Sequence, residues 1–315
     1  MSGDAPAGGQ LPQWISSSAT ILAPASVLGG LLFYFGYVSS RSQYEYFGVD
    51  VDTIGLNTRD YVMRSPQPLL VPLLVLTLLG AGLMAVHIAV RRRITAAIPS
   101  RAGALRHTAR AVTIAGLVAL ATGVLLLFIH TATRALVVYN LVTPLLFTLG
   151  AGLVAYASRM RVLLGDKRGT VPEATDGGDP TPSAHAADPP LQRRAATILI
   201  YVVVAASVFW ATATVAQWSG RGQAQNAARH LDRLPRIILD TKERLFLRDP
   251  GVEETVLPSS HGQTFHYRYR RLRLLIVGHD RMFLVPEAWS ASNSTLVVPL
   301  DGSVRLQFQF QNQSP

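Results

Sequence analysis

The sequence predicts an α-helical transmembrane bundle of five spans followed by a small C-terminal all-β domain. Hydrophobic residues make up 49% of the chain and charged residues only 15%, against about 25% charged residues in soluble domains. The apolar residues lie in long blocks that charged residues avoid, which is typical of a chain that uses lipid as its solvent. After residue 218 these blocks give way to short runs that alternate apolar and polar residues, which indicates strands.

Five stretches reach the roughly 20 apolar residues that a helix needs to cross the hydrocarbon core. They cover 19–38, 69–90, 111–131, 136–157 and 195–217. The polar sequence at 130–134 separates the third stretch from the fourth and predicts a tight helical hairpin. The N-terminal tail contains Asp4 and no Lys or Arg. It therefore lacks the basic region of a cleavable signal peptide, and the first stretch is expected to remain as a span.

The basic residues predict the orientation of the chain in a cell membrane. The loops after spans two and four hold six basic residues each, whereas the loops after spans one and three hold three and one. Because cytoplasmic loops carry the excess of Lys and Arg, the tail at 1–18 is expected in the cytoplasm and the β-rich domain at 219–315 outside it. Four arginines soon after span five oppose this orientation, namely Arg221, Arg229, Arg233 and Arg236.

The segments between the spans divide the chain further. A four-helix region is predicted at 19–161 and a fifth transmembrane helix at 195–218. Between them, residues 162–194 are rich in Pro, Gly, Asp and Ala. That composition offers little to bury and predicts a disordered cytoplasmic linker.

The loop at 39–67 combines aromatic and acidic residues and predicts an ordered cap at the membrane surface. Asn57 or Thr58 is expected to cap a short helix that runs into span two, because both side chains are good N-caps. A calcium site formed by Asp50 and Asp52 is the sharper alternative. It lacks the rest of a calcium-ligand loop.

Seven short β-type runs are predicted in the C-terminal domain, after a short amphipathic helix at 223–234. They cover 236–239, 245–247, 255–257, 264–277, 281–285, 295–298 and 304–310. In the longest run the apolar residues change from odd to even positions after Tyr269, which predicts a bulge or a break near Arg270 and Arg271. Strands of this number and length predict a small sandwich or a partly open barrel.

The residue types argue against several classes of enzyme. The sequence contains no cysteine, which excludes disulfides, thiolate catalysis and cysteine-based metal centres. The five stretches contain no Asp, Glu, Lys or Arg, whereas ion-coupled transporters and intramembrane aspartyl proteases place ionisable groups at mid-span. The histidines and carboxylates of the C-terminal domain match no metalloenzyme spacing. No catalytic residue, metal site or cofactor is therefore predicted.

Two groups of polar residues are candidate sites. The longest β-type run carries Arg268, Arg270, Arg271 and Arg273. These arginines either bind anionic polymers or lipid headgroups, or form the solvated face of a strand. In span four, Tyr139, Asn140 and Thr143 form a candidate membrane polar patch. This patch is either a gate or ligand contact, or a hydrogen bond between helices.

Two short segments before span two carry a family resemblance. They read Tyr-Phe-Gly-Val-Asp at 46–50 and Arg-Asp-Tyr-Val-Met-Arg-Ser at 59–65. The chain resembles uncharacterised multi-pass membrane proteins of actinobacteria over its first two spans. The resemblance implies an actinobacterial host and no particular activity.

These observations predict a membrane-anchored binding, sensing or assembly protein that presents a small β domain and performs no catalysis. The expected partners are membrane lipids and either a second copy of the chain or another envelope protein. Much of the net charge of +10 lies in loops beside the spans, where it sets orientation, so no nucleic-acid partner is expected. The alternative function is an oligomeric channel or passive pore with the β domain as its vestibule.

Overall fold

The computed structural model describes residues 13–96, 102–129, 139–166, 190–247, 249–290 and 293–309. Its helices are α1 Gln13–Glu45, α2 Val51–Ile54, α3 Thr58–Arg64, α4 Pro66–Ala96, α5 Ala102–Ile129, α6 Tyr139–Asp166 and α7 Pro190–Arg229. Its strands are β1 Arg236–Thr241, β2 Glu253–Val256, β3 Tyr267–Val277, β4 Arg281–Pro286, β5 Leu296–Pro299 and β6 Val304–Gln309. The chain divides into two compact units. The β unit contains residues 1–70 and 216–315, and the helical unit contains residues 71–215.

Four helices in the described part of the chain are long and apolar enough to cross a membrane. They are Pro66–Val90, His107–Ile129, Asn140–Arg159 and Arg194–Arg229. The remaining predicted span, at 19–38, lies within α1 and is not one of these four, so the count of five spans stays a prediction. The predicted hairpin turn at 130–134 and most of the predicted linker lie outside the described residues.

Small residues allow α5 and α6 to approach closely in the helical unit. A Cβ on Gly116 would lie 2.9 Å from the carbonyl oxygen of Gly150, and a Cβ on Gly150 would lie 2.8 Å from that of Gly116. Glycines in the predicted spans are suited to close helix packing, and among Gly29, Gly30, Gly80, Gly82, Gly150 and Gly152 it is Gly150 that has such a contact with a described residue. A Cβ would meet no described atom within 4 Å at Gly29, Gly30, Gly80, Gly82 or Gly152.

The described strands form one antiparallel sheet in the order β5-β4-β3-β1-β6, and β2 pairs with β3 beside β4. A sandwich of two packed sheets is therefore not what these strands form. Six of the seven predicted β-type runs correspond to strands, and the run at 245–247 is irregular. The short helix predicted at 223–234 is mostly the continuation of α7, which extends to Arg229 without a break.

A bulge lies in β3 where the sequence predicts one. Leu239 of β1 faces Tyr269, and Ile237 faces Leu272, so Arg270 and Arg271 both lie opposite a single residue of β1. Arg271 has a φ of +63°, in the left-handed region that disfavours side chains other than glycine. The change of apolar phase after Tyr269 is the sequence signature of this bulge.

Strand β4 is buried on both faces. Met282 and Leu284 pack in one cluster with residues of the neighbouring strands. Phe283 packs in a second cluster with Tyr44, Ile54 and other residues of the segment 39–67, which we call the loop before α4. Burial on both sides explains why β4 is a continuous apolar run instead of an alternating one. The loop before α4 is therefore part of the β unit, although the sequence predicts this loop and the C-terminal strands as separate regions.

Candidate functional site

The first polar cluster of the sheet surrounds Asp240, whose side chain is fully buried in β1. Arg268 of β3 donates to both of its carboxylate oxygens, from Nε at 2.8 Å and from Nη2 at 3.1 Å. Arg305 of β6 donates to Oδ2, from Nη2 at 2.6 Å and from Nε at 3.2 Å. Both neighbouring strands thus contribute a guanidinium to one carboxylate, which is well supplied with charge-assisted hydrogen bonds.

The second polar cluster surrounds Glu287, directly after β4. Arg236 and Arg273 both donate to Oε1 of Glu287, and the Nε of Arg271 lies 3.7 Å from Oε2. The side chain of Arg273 is 3% exposed, that of Arg236 is 37% exposed and that of Arg271 is 55% exposed. Three guanidinium groups therefore share one carboxylate, and two of the three reach the solvent. We call these four residues the Glu287 cluster.

Both carboxylates have lowered pKa values. Burial alone would raise the pKa of Asp240, but the hydrogen bonds and charges of Arg268 and Arg305 outweigh it. Burial likewise opposes ionisation of Glu287, and the hydrogen bonds and charges of Arg236 and Arg273 lower its pKa below the ordinary value. Both groups are therefore ionised at neutral pH, and both clusters keep their full charge there.

The arginines predicted as one candidate site have three different roles. Arg268 belongs to the Asp240 cluster, and Arg271 and Arg273 belong to the Glu287 cluster. Arg270 is exposed and makes no ion pair among the described residues. The arginines do not form a continuous ladder, because the bulge changes which way successive side chains point.

Sequence reasoning missed the partners of these arginines. Asp240, Glu287, Arg236 and Arg305 lie on other strands or just beyond them, and nothing in their local sequence marks them. The one available signal was the phase change at Arg270 and Arg271, because bulges often redirect functional side chains.

The Glu287 cluster lies at the connection between α7 and β1. The Nη1 of Arg273 donates to the carbonyl oxygens of Asp232 at 3.2 Å and Leu234 at 2.9 Å, both in that connection. Its Nε is buried and has no hydrogen-bond partner among the described residues. Arg236 is the first residue of β1. The cluster therefore holds the start of the sheet onto the segment that leaves α7.

A second functional feature of the β unit is the docking of the loop before α4 onto the sheet. The backbone N–H of His279 donates to the carbonyl oxygen of Ile54 at 3.2 Å. A Cβ on Gly278 would overlap the same carbonyl oxygen, so only glycine permits this approach. On another side of the loop, Thr295 Oγ1 donates to the carbonyl oxygen of Phe47 at 2.6 Å, and the rings of Phe47 and Trp289 lie 5.3 Å apart.

The acidic residues of this loop are used in helix caps and in a hydrogen bond to a tyrosine. Asn57 caps α3 and forms a capping box with Asp60, which confirms the prediction for Asn57. Asp50 caps α2 by accepting from the N–H of Asp52 at 3.2 Å. Asp52 accepts from the hydroxyl of Tyr37 at 3.2 Å. Nowhere in the described residues do three or more His, Asp or Glu side chains gather in a way that could hold a metal ion.

The candidate polar patch of span four lies at the start of α6. Thr143 is buried, and the backbone carbonyl of Asn140 accepts a 3.5 Å hydrogen bond from Thr214 Oγ1 of α7. The side chain of Tyr139 lies outside the described residues. Asn140 thus contacts α7 through its backbone carbonyl, and both interpretations of the patch stay predictions.

A cavity of about 560 Å³ lies beside the sheet, with Leu272, Leu296 and Val252 among its lining residues. Asp249 also lines it, and its carboxylate accepts from the backbone N–H of Gly251 at 2.8 Å and from the side-chain amide of Asn293 at 2.5 Å. Both oxygens of this carboxylate thus have partners within the chain. In the Glu287 cluster, by contrast, the guanidinium of Arg271 makes no hydrogen bond among the described residues.

The fold and these sites define a class of protein only in outline: a chain with several apolar helices and a C-terminal antiparallel sheet. No family model, no curated protein and no solved structure matches the chain. The resemblance to actinobacterial membrane proteins stays a prediction.

Proposed function

We propose that this chain is a non-catalytic membrane protein of binding or assembly that holds its β domain in a fixed position at the outer surface of the cell membrane. The observation that carries the proposal is the docking of the loop before α4 onto the sheet. The buried cluster of Tyr44, Ile54, Tyr61 and Phe283 and the close contact at Gly278 make the loop and the sheet one body. A β domain connected only by a flexible linker would lack this interface.

The docking also bears on topology. The loop before α4 and the strands after α7 belong to one folded unit, so they must lie on the same side of the bilayer. Helices α4, α5, α6 and α7 separate them in the sequence, and each contains a candidate span. Because four crossings return the chain to its starting side, this arrangement is consistent whether or not α1 also crosses.

The proposed orientation rests on the distribution of arginines in the sequence. The proposed fifth span rests on α1. The loops after α4 and α6 hold the basic excess, which favours a cytoplasmic position for both. The β unit is then extracytoplasmic. With α1 as a fifth span, the N-terminus lies in the cytoplasm.

Cysteine labelling tests this topology, because the native sequence has no cysteine. Met63→Cys, Ser259→Cys and His107→Cys each place a thiol at an exposed position. An impermeant maleimide applied to intact cells is expected to label the first two and not the third. Labelling of either Met63→Cys or Ser259→Cys without the other would overturn the docking of the loop. Labelling of His107→Cys alone would place the β unit in the cytoplasm.

A cysteine added ahead of Met1 decides between four and five spans. We expect it to resist the impermeant maleimide in intact cells and to react after the membrane is permeabilised. Labelling in intact cells, together with Ser259→Cys, would leave the chain with four spans.

Matched glycine substitutions test whether the docking holds the β unit rigid. Gly278→Ala places a methyl group against the carbonyl oxygen of Ile54, whereas Gly302→Ala meets no described atom within 4 Å. We expect Gly278→Ala to make the loop before α4 sensitive to protease in the purified protein, while Gly302→Ala keeps the native digestion pattern. Equal patterns for the two variants would show that the loop does not need this contact.

Helix α4 supports a role for lipid or for a second copy of the chain. Only 6% of its candidate span is buried inside the structure. Its exposed apolar side chains include Leu73, Leu78, Leu83 and Met84. In a membrane these side chains require an apolar neighbour, which acyl chains or the same helix of another copy provide.

Ion flux through proteoliposomes separates this proposal from the pore alternative. We expect no flux, because Thr143 is buried and Asn140 binds Thr214 through its backbone. Flux that the substitution Asn140→Leu removes would establish a pore and overturn the proposal.

A further inference from the structure

We propose that Arg236, Arg271 and Arg273 form a binding site for a phosphate-class anion where the chain leaves α7. The charges of the Glu287 cluster do not balance within the cluster itself. Three guanidinium groups surround one carboxylate, which leaves two positive charges without a counter-charge. Three arginines also carry about fifteen N–H donors, far more than the two oxygens of Glu287 can accept.

The hydrogen bonds of the cluster are incomplete in the same way. The side chain of Arg271 makes no hydrogen bond among the described residues, only the 3.7 Å ion pair with Glu287. The buried Nε of Arg273 also lacks a described partner. This Nε is enclosed and is not reached by an anion from solution, so Arg273 adds positive charge behind the exposed guanidinium groups of Arg236 and Arg271. The Asp240 cluster shows the contrast, because its carboxylate accepts four hydrogen bonds from two arginines.

The backbone at Arg271 is strained in a way that exposes this side chain. A φ of +63° is free of steric cost only for glycine, and an arginine there costs stability. Strain of this kind commonly accompanies binding sites, because the surrounding structure holds a side chain where it is used. Here the bulge is held by the 2.9 Å hydrogen bond from the N–H of Glu287 to the carbonyl oxygen of Arg271. Arg271 is thus fixed beside Glu287 with more than half of its side chain exposed.

The position of the cluster defines the chemistry of the ligand. Arg273 binds the segment between α7 and β1, and α7 contains a candidate span that reaches Arg229. An anion at this point lies where the chain leaves the span. Guanidinium groups bind phosphate oxygens through paired, charge-assisted hydrogen bonds. The ligand is therefore a phosphate group, carried either by a lipid headgroup or by a free anion.

The experiment measures binding to the full chain in a neutral detergent. The probes are dihexanoyl phosphatidylglycerol, dihexanoyl phosphatidylcholine and inorganic phosphate, at constant ionic strength. Isothermal titration gives the affinity for the native chain, for Arg271→Gly and for Arg270→Gln. Arg271→Gly removes the guanidinium and suits the φ of +63°, so it keeps the fold. Arg270→Gln removes the neighbouring exposed charge, which makes no described ion pair, and is the matched control.

We expect the anionic probe that binds the native chain to bind Arg270→Gln equally. We expect it to bind Arg271→Gly about tenfold more weakly or worse, because the charge-assisted hydrogen bonds of the Arg271 guanidinium are lost. Binding of phosphatidylglycerol with little response to inorganic phosphate supports a lipid headgroup. Comparable binding of inorganic phosphate supports a free phosphate group. The site is disproved if neither phosphatidylglycerol nor inorganic phosphate binds, or if phosphatidylcholine binds as well as phosphatidylglycerol. It is also disproved if Arg270→Gln loses as much affinity as Arg271→Gly.

Discussion

The Asp240 and Glu287 clusters contain similar residue types on the same sheet, but they differ in the burial of the carboxylate and in the number of arginines around it. Asp240 is fully buried and accepts four hydrogen bonds from two arginines. Glu287 is 19% exposed and shares three arginines, one of which makes no hydrogen bond through its side chain among the described residues. The first cluster carries one excess positive charge and both of its guanidinium groups bond the carboxylate. The second carries two excess positive charges, and the guanidinium of Arg271 makes no hydrogen bond among the described residues. The difference shows that an arginine-rich strand does not reveal which of its arginines are free to bind; the number and burial of the carboxylates decide.

The bulge in β3 separates the two clusters. Arg268 lies before it and pairs with Asp240, while Arg271 lies in it and Arg273 lies after it, both beside Glu287. In a regular strand Arg268 and Arg273 would lie on opposite faces, because five positions separate them. The extra residue changes this alternation and lets β3 serve two carboxylates at different ends of β1.

The largest expected effect is the loss of stability when Asp240 loses both arginines. The double substitution Arg268→Ala with Arg305→Ala leaves a fully buried carboxylate without a partner, which costs about 3–5 kcal/mol. Each single substitution is expected to cost much less, because the other arginine remains. Thermal or denaturant unfolding of the purified chain measures all three variants. If the double variant loses no more unfolding free energy than the two single variants lose together, the arginines act independently of each other.

The next effect distinguishes the clusters by their response to an anion. Glu287→Gln removes the only described carboxylate beside the buried Arg273 and is expected to cost about 2–4 kcal/mol without ligand. The same substitution is expected to strengthen binding of phosphatidylglycerol or phosphate, since a competing acceptor charge is gone. Asp240→Asn is the control and leaves anion affinity unchanged. Equal effects of the two substitutions on affinity would remove the proposed distinction.

The pH dependence of stability is a third, smaller effect that both clusters share. The pKa values of Asp240 and Glu287 are lower in the folded chain than in the unfolded chain. Their contribution to stability is therefore complete above the unfolded pKa of about 4 and is lost as the pH falls through the folded values. The melting temperature is expected to fall as the pH decreases below about 4. In the variant with both Asp240→Asn and Glu287→Gln this fall should be shallower; an unchanged slope would assign it to other carboxylates.

The smallest expected effect is a gain in stability. Arg271→Gly relieves the strain at a φ of +63° and is expected to stabilise the chain by about 1 kcal/mol. Arg270→Gly, at the neighbouring position without a positive φ, is expected to destabilise it by about 0.5–1 kcal/mol, because glycine weakens a strand. Opposite signs in the melting temperature, measured in the absence of anions, support the strained backbone at Arg271. A loss of stability in Arg271→Gly would mean that its ion pair outweighs the strain.

Local patterns predicted the elements well, and long-range contacts were beyond them. The bulge at Arg270 and Arg271 and the cap at Asn57 were predicted because each depends on a few neighbouring residues. The partners of the arginines were not predicted, since Arg268 finds Asp240 28 positions away. No described atom lies within 4 Å of a Cβ placed on Gly80 or Gly82, because a small residue in a helix does not by itself bring another helix opposite it.

The amino-acid sequence alone was enough to predict several helices apolar enough to cross a membrane and a C-terminal domain of strands. Hydropathy over about 20 residues and alternation over a few residues are local properties that any segment displays alone. The folded structure was needed to see that the loop before α4 belongs to the β domain and that the side chain of Arg271 in the Glu287 cluster makes no hydrogen bond among the described residues. Thr295 reaches Phe47 across 248 positions of sequence. A contact of that kind depends on the shape of two surfaces, and no local pattern of residues encodes it.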